Sequence, residues 1–266
     1  MLPAGKVDFL MTGNMLMAFD NIKQKVPTVV VAAYFQRDPQ AIIAHPGQGI
    51  DKFADIAKAK TVLLAKDGQI SYWQWMKKAY GVRDEQVRPY NYSLSQFLAD
   101  KQSVQQAYAT SEPLAVEKQA GFKPVVLSLA DAGWSTYGMV IETRQDLVKT
   151  KPDVVRRFVE ATNIGWVNYL YGDHKAADEM IKKINPDISD EYIQKSLPIL
   201  RAHIDVGDAR TQGIGAMSDA RMKDFYEKTV EAGLYKPTDF DYRQAYTLQF
   251  VNKGTGVDLR KSLAKD

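Results

Sequence analysis

Cysteine is absent from the 266-residue sequence. Its absence removes disulfides, thiolate nucleophiles and cysteine zinc sites together, and it suits either the cytosol or a bacterial periplasm. Histidine is nearly as scarce: His45, His174 and His203 stand far apart, and none forms the i, i+4 pair of a helical zinc site. No GxSxG elbow or Walker-type loop occurs. The pair Gly213-Ile214-Gly215 lacks both a preceding strand and the third glycine of a dinucleotide site, so it reads as a loop. The formal charge of +3 is spread out, with no basic block interleaved with aromatics, which argues against a nucleic-acid partner. No apolar run approaches the roughly 20 residues of a membrane span. The start, MLPAGKVDFLMTGNM, has no basic segment followed by an apolar run, so no signal peptide is expected in this chain. Neither a metal nor a cofactor is expected.

What is present is ordinary in amount and regular in order. Apolar residues make up 45% and charged residues 25%, as in soluble globular proteins, and the length suits one large or two modest domains. Strand and helix signals alternate. Val7 to Met11 reads as a strand, followed by Thr12-Gly13-Asn14 and the apolar-rich Met15 to Lys25, with Asn14 suited to cap that helix. PTVVVAAY, Pro27 to Tyr34, is continuous enough for a strand buried on both faces. Shorter strands follow in QAIIA, TVLL, Gln86–Tyr90, Val104–Thr110, PVVLS and YGMVIE, with helices between most of them. Beyond Glu142 the chain turns helical, and Val154, Val155, Phe158, Val159 and Thr162 mark one face at a 3.6-residue period. Pro198 falls inside one of these helices and is expected to kink it. Helices separating buried strands imply an α/β fold with mostly parallel sheets.

Polar residues cluster where strands hand over to helices, the ends at which α/β proteins bind ligands. Thr12, Gly13 and Asn14 offer a hydroxyl, backbone N–H groups and an amide at a helix start. Gln36 and Asp38 follow the second strand, and Asp67 follows TVLL. In YATSEPLAVEKQAG, Pro113 suits a first helical turn and Gly121 a helix stop, so Glu112 stands at a strand-to-helix junction. There Ser111 or Glu112 either caps the helix or faces a ligand. Trp134 and Tyr137 lie in a glycine-containing connection, where aromatics either cover the core edge or stack on a flat ligand.

The segments GKVDFLMTGN, VVVAAYFQRDPQAIIAHPG, YATSEPLAVEKQAG and MVIETRQDLVKTKPDVVRRFVEAT together resemble the NMT1/THI5-like solute-binding proteins of ABC transporters. That group takes in nitrate-, sulfonate- and thiamine-precursor-binding proteins. The resemblance implies a type II periplasmic-binding-protein fold, with two α/β lobes and a ligand cleft. Residues 1–38 and 139–266 would form the first lobe and 39–138 the second, with crossings near 36–40 and 133–138. It also implies a periplasmic, non-enzymatic protein that hands a small molecule to an ABC permease and meets the membrane only through it. Thr12, Gly13, Asn14, Gln36, Asp38, Asp67, Glu112, Trp134 and Tyr137 would contact the ligand. A pyrimidine or thiamine precursor is the expected ligand, with Glu112 accepting hydrogen bonds from its amino group. A small anion such as sulfonate or nitrate is the alternative, which the acidic Glu112 disfavours. The first strand–helix–strand unit of the family has no counterpart in the sequence, so a remnant without ligand binding is another reading. Enzymatic relatives that make a thiamine pyrimidine rely on a cysteine-rich motif, and this chain has none.

Overall fold

Every residue of the strand Thr28–Phe35 is buried, as its unbroken apolar run requires. The computed structural model describes residues 1–264. Among them, eight strands form two sheets: β1 (Phe9–Asn14), β2 (Thr28–Phe35), β3 (Gln40–Ala44), β4 (Thr61–Leu64), β5 (Val87–Pro89), β6 (Ser103–Tyr108), β7 (Val125–Ser128) and β8 (Gly138–Arg144). The chain is α/β, as its alternation implies.

The sheets are less parallel than the sequence pattern suggests. The first has order β1-β8-β2, and both neighbour pairs are antiparallel. β1 and β2 are joined by the helix Met15–Lys23, a crossover that leaves a gap one strand wide. The chain leaves this sheet after β2, and β8 later fills that gap, running the other way. The second sheet, β5-β4-β6-β3-β7, is mixed. β4 pairs parallel with β5 and β6, while β3 pairs antiparallel with β6 and β7.

Two compact units result. One comprises Met1–Asp38, Thr136–Lys223 and the chain from Thr238 onward; the other comprises Pro39–Ser135 and Asp224–Pro237. Residues 224–237, grouped with the first lobe on sequence grounds, therefore cluster with the second unit. The reason is local: Phe225 meets the Trp134 ring edge-on at 5.1 Å, and Lys78 donates to the Glu231 carbonyl at 2.6 Å.

Local chemistry explains the helix limits. Asn14 accepts from the Leu16 N–H at 3.0 Å and so caps Met15–Lys23. Gly121 ends Glu112–Ala120 with φ +73°, a left-handed cap that glycine adopts without strain. Pro198 does lie inside the helix Asp190–Ile204. Gly213 and Gly215 form the expected loop, and it has a structural task. Gly215 bridges to Ala33, and Thr247 donates to the Val30 carbonyl, so β2 is not left as a bare edge. In the second unit the core gathers Ile43, Leu63, Phe97, Ala107 and Val116. No helix among the described residues is long and apolar enough to cross a membrane.

Candidate functional site

The three parallel strands β4, β5 and β6 end side by side, and chemistry-bearing residues collect just past those ends. Asp67 follows β4, Tyr90 and Tyr92 follow β5, Tyr108 ends β6, and Glu112 opens the helix after it. Glu112 Oε1 accepts from the Tyr90 hydroxyl at 3.1 Å, and Oε2 accepts from the Tyr108 backbone N–H at 2.8 Å. Ser111 makes no side-chain cap, so Glu112 itself ties the strand end to the helix start. Asp67 Oδ2 accepts from Gln106 Nε2 at 3.2 Å, while Gln106 Oε1 receives the Ala65 N–H at 2.9 Å. The Tyr92 hydroxyl lies close to the Asp67 carboxylate.

Electrostatics fix the direction of these bonds. Burial, then the nearby Glu112 carboxylate, pushes the Tyr90 phenol well above its ordinary value. The Asp67 charge, then burial, raises the Tyr92 phenol as well. Both phenols stay protonated at neutral pH, and Tyr90 donates to Glu112. The rings of Tyr90 and Tyr92 lie 5.2 Å apart, tilted by 49°, and Tyr92 is 72% exposed with φ +64°. The result is an acidic, aromatic rim. A carboxylate has about four lone-pair sites, so Glu112, with two donors, can still accept from an amine.

The first unit gathers a different set at one end of its sheet. Gly138, at the start of β8, pairs with both Asn14 and Phe35. A methyl group on Gly138 would stand 3.6 Å from both Asp38 Cγ and the Gly13 carbonyl. Gln36 is buried, donating to the Ala33 and Ala216 carbonyls at 3.0 and 2.8 Å. The Arg221 guanidinium donates to the Gln36 carbonyl at 2.5 Å and lies 3.9 Å above the Tyr137 ring. The Tyr137 hydroxyl accepts from the Ser218 N–H at 3.0 Å. Thr12 is buried and donates to Glu142 Oε1 at 3.1 Å, and Asn21 donates to Oε2 at 2.9 Å. That carboxylate is 1% exposed, at the centre of the three-stranded sheet. Thr12→Val, which removes one donor from a buried acceptor, is expected to cost about 1–3 kcal/mol in urea unfolding.

Trp134 is 1% exposed and packs on Trp75 at 5.4 Å and Phe225 at 5.1 Å. Of the residues nominated from sequence, Thr12, Gly13, Asn14, Gln36, Asp38 and Tyr137 therefore assemble on the first unit. Asp67 and Glu112 share the rim of the second, and Trp134 lies in an aromatic core. Among the described residues no group of three or more histidines and carboxylates gathers to hold a metal.

These two strand-end clusters stand on a chain whose residues 1–176 match the NMT1/THI5-like family model. The chain belongs to the NMT1/THI5-like family. Solved structures share its fold. One is a sulfonate ABC transporter periplasmic sulfonate-binding protein, SsuA, from Methylobacillus flagellatus, described as putative. It is 14% identical with TM-score 0.63, over 97% of this chain and 77% of that one. The alkanesulfonate-binding protein SsuA from Xanthomonas axonopodis pv. citri, bound to MOPS, is 11% identical with TM-score 0.64, over 92% of this chain and 82% of that one. A variant of the enzyme DszB with biphenyl-2-sulfinic acid is 12% identical with TM-score 0.58, over 98% and 87%. No curated protein matches the chain.

Sequence reasoning missed Tyr90, Tyr92, Gln106 and Arg221. The strand-end rule that nominated Asp67 and Glu112 applies equally to β5, and it would have nominated Tyr90 and Tyr92. Arg221 carried no such signal, because it reaches the sheet end from a helix, Asp219–Glu231, far along the chain.

Proposed function

We propose that this NMT1/THI5-like chain is the solute-binding component of an ABC importer, working in the periplasm, and that it takes a small heteroaromatic amine of the pyrimidine or thiamine-precursor kind. The observation that carries the reading is the second unit's rim, where Asp67 and Glu112 sit with Tyr90 and Tyr92. A carboxylate accepts from an exocyclic amino group and pairs with a protonated ring nitrogen, and such charge-assisted bonds outweigh neutral ones. The exposed Tyr92 ring supplies a face for a flat heterocycle. The permease is the protein partner, and capture and release, not chemistry, is the activity. The desulfurization enzyme DszB is also among the fold relatives, both unsubstituted and as a variant with one cysteine replaced by serine; this chain has no cysteine.

A second reading is a small anion. Arg221, held against Gln36 and Tyr137 at the first unit's strand ends, favours it, as do the sulfonate-binding names of two fold relatives.

A thermal-shift screen with aminopyrimidines, thiamine, purines, riboflavin, taurine and nitrate separates the two. A ligand at a hundredfold excess over its Kd stabilises the native state by about 2.7 kcal/mol. Aminopyrimidines or thiamine are expected to raise the melting temperature, and Glu112→Gln to weaken that shift while the apo protein melts normally. A shift with taurine or nitrate that survives Glu112→Gln and disappears in Arg221→Ala establishes the anion reading instead. A cooperative melt that no compound moves overturns both.

A further inference from the structure

Three helices of the first unit, Pro152–Tyr171, Lys175–Ile184 and Asp190–Ile204, border an open apolar groove of about 480 Å³. Trp166, Tyr169, Ala177, Ile181 and Leu200 line it, together with the exposed Gly165. We infer that this groove is a second ligand site, for an uncharged flat aromatic molecule of one or two fused rings.

Gly165 is the first argument. It lies inside a 20-residue helix, where glycine is disfavoured for its backbone entropy. No left-handed conformation asks for it, since its φ is not positive. A Cβ placed there meets nothing within 4 Å, so no neighbour demands a glycine either. What the missing side chain does leave is room in the groove.

The lining supplies the ligand class. Trp166 and Tyr169 stand edge to face, with centroids 6.2 Å apart and planes at 87°, offering an aromatic corner of the kind that receives another ring. Polar groups at the margin are already engaged. The Thr162 hydroxyl donates to the Phe158 carbonyl at 2.8 Å, and the Tyr169 hydroxyl faces the Asp178 carboxylate. A charged ligand would lose hydration against this apolar lining, so the groove favours an uncharged ring. The groove is open, and its volume is sufficient for a molecule of that size. The helix Lys175–Ile184 adds a further mark. It buries none of its residues, yet it turns Ala177 and Ile181 to the groove and leaves Ile184 78% exposed at its end.

Indole is a suitable probe, followed by ¹H–¹⁵N NMR. Of the four tryptophans only Trp166 belongs to the first unit, and Trp166→Phe assigns its indole signal. Indole is expected to shift the Trp166 and Gly165 signals saturably. Gly165→Leu, whose side chain would occupy part of the groove, should weaken this at least tenfold with no fall in melting temperature. Ile181→Gln, on a helix with no buried residue, should weaken it in the same direction. Glu112→Gln should leave it unchanged, which separates this site from the solute reading. Shifts that fail to saturate, or that persist equally in Gly165→Leu and Ile181→Gln, overturn the inference. So does self-association of the apo protein that Gly165→Leu abolishes, because the groove's occupant is then a second copy.

Discussion

Trp134→Ala is expected to lower the unfolding free energy by about 3–5 kcal/mol, the range for removing a large buried aromatic. The indole is 1% exposed and sits among four other rings. Trp75 lies 5.4 Å from it and Phe225 5.1 Å, while Phe53 and Tyr80 complete the group 5.7 and 5.4 Å from Trp75. Tyr80 in turn donates to the Ala132 carbonyl at 2.7 Å, holding the connection that carries Trp134. Alanine would leave a void beneath that connection that rigid rings cannot collapse to fill. The indole Nε1–H, however, meets no acceptor among the described residues, and a buried donor left unmade costs about 1–3 kcal/mol. Trp134→Phe should therefore cost much less than Trp134→Ala, because it removes that donor and keeps most of the apolar volume. Urea unfolding of the two variants, with unchanged m-values, tests both. Equal losses would mean the ring volume is not what stabilises this core.

Trp134 also shows what a single sequence reveals about such a fold. Its place in a glycine-containing connection was legible, but its burial was not. That burial depends on Phe225, some ninety residues away, on a segment that clusters with the second unit. The alternation of strands and helices was legible because it follows from local periodicity and caps: Asn14, Gly121 and the all-apolar β2 each declare themselves within a few residues. Strand direction was not, since β8 enters the first sheet only after the whole excursion from residue 39 to 135. The candidate site divides the same way. Asp67 and Glu112 follow their own strands and could be nominated from local order. The bond from Tyr90 to Glu112 and the guanidinium of Arg221 above Tyr137 depend on tertiary neighbours.

The other large effect lies where tertiary neighbours matter most, in an ion pair that no local pattern announces. Asp205 and Arg260 are 55 residues apart, with side chains 3% and 16% exposed and Nη1 2.7 Å from Oδ1. Asp205 Oδ2 accepts from the Tyr171 hydroxyl at 2.5 Å. Burial first, then that bond and the aspartate charge, pushes the Tyr171 phenol up to about 12, so it remains a donor across the working range. Arg260 Nη2 also reaches the Arg210 carbonyl at 3.1 Å, pinning the C-terminal helix Val257–Leu263 to the body of its unit. Removing the guanidinium leaves a buried carboxylate with one donor. Arg260→Ala is expected to cost about 3 kcal/mol, the lower end for breaking a buried pair, since Tyr171 stays and Arg260 is partly solvated. Removing the charge as well should restore part of the loss. The double variant Asp205→Asn/Arg260→Met is therefore expected to be more stable than the sum of its single changes predicts, with a coupling of about 1–3 kcal/mol. Raising the salt to about 0.5 M should change the coupling little, because buried pairs are weakly screened. A coupling near zero, or one that salt abolishes, would place this pair with the exposed surface bridges and leave the C-terminal helix held by its apolar contacts.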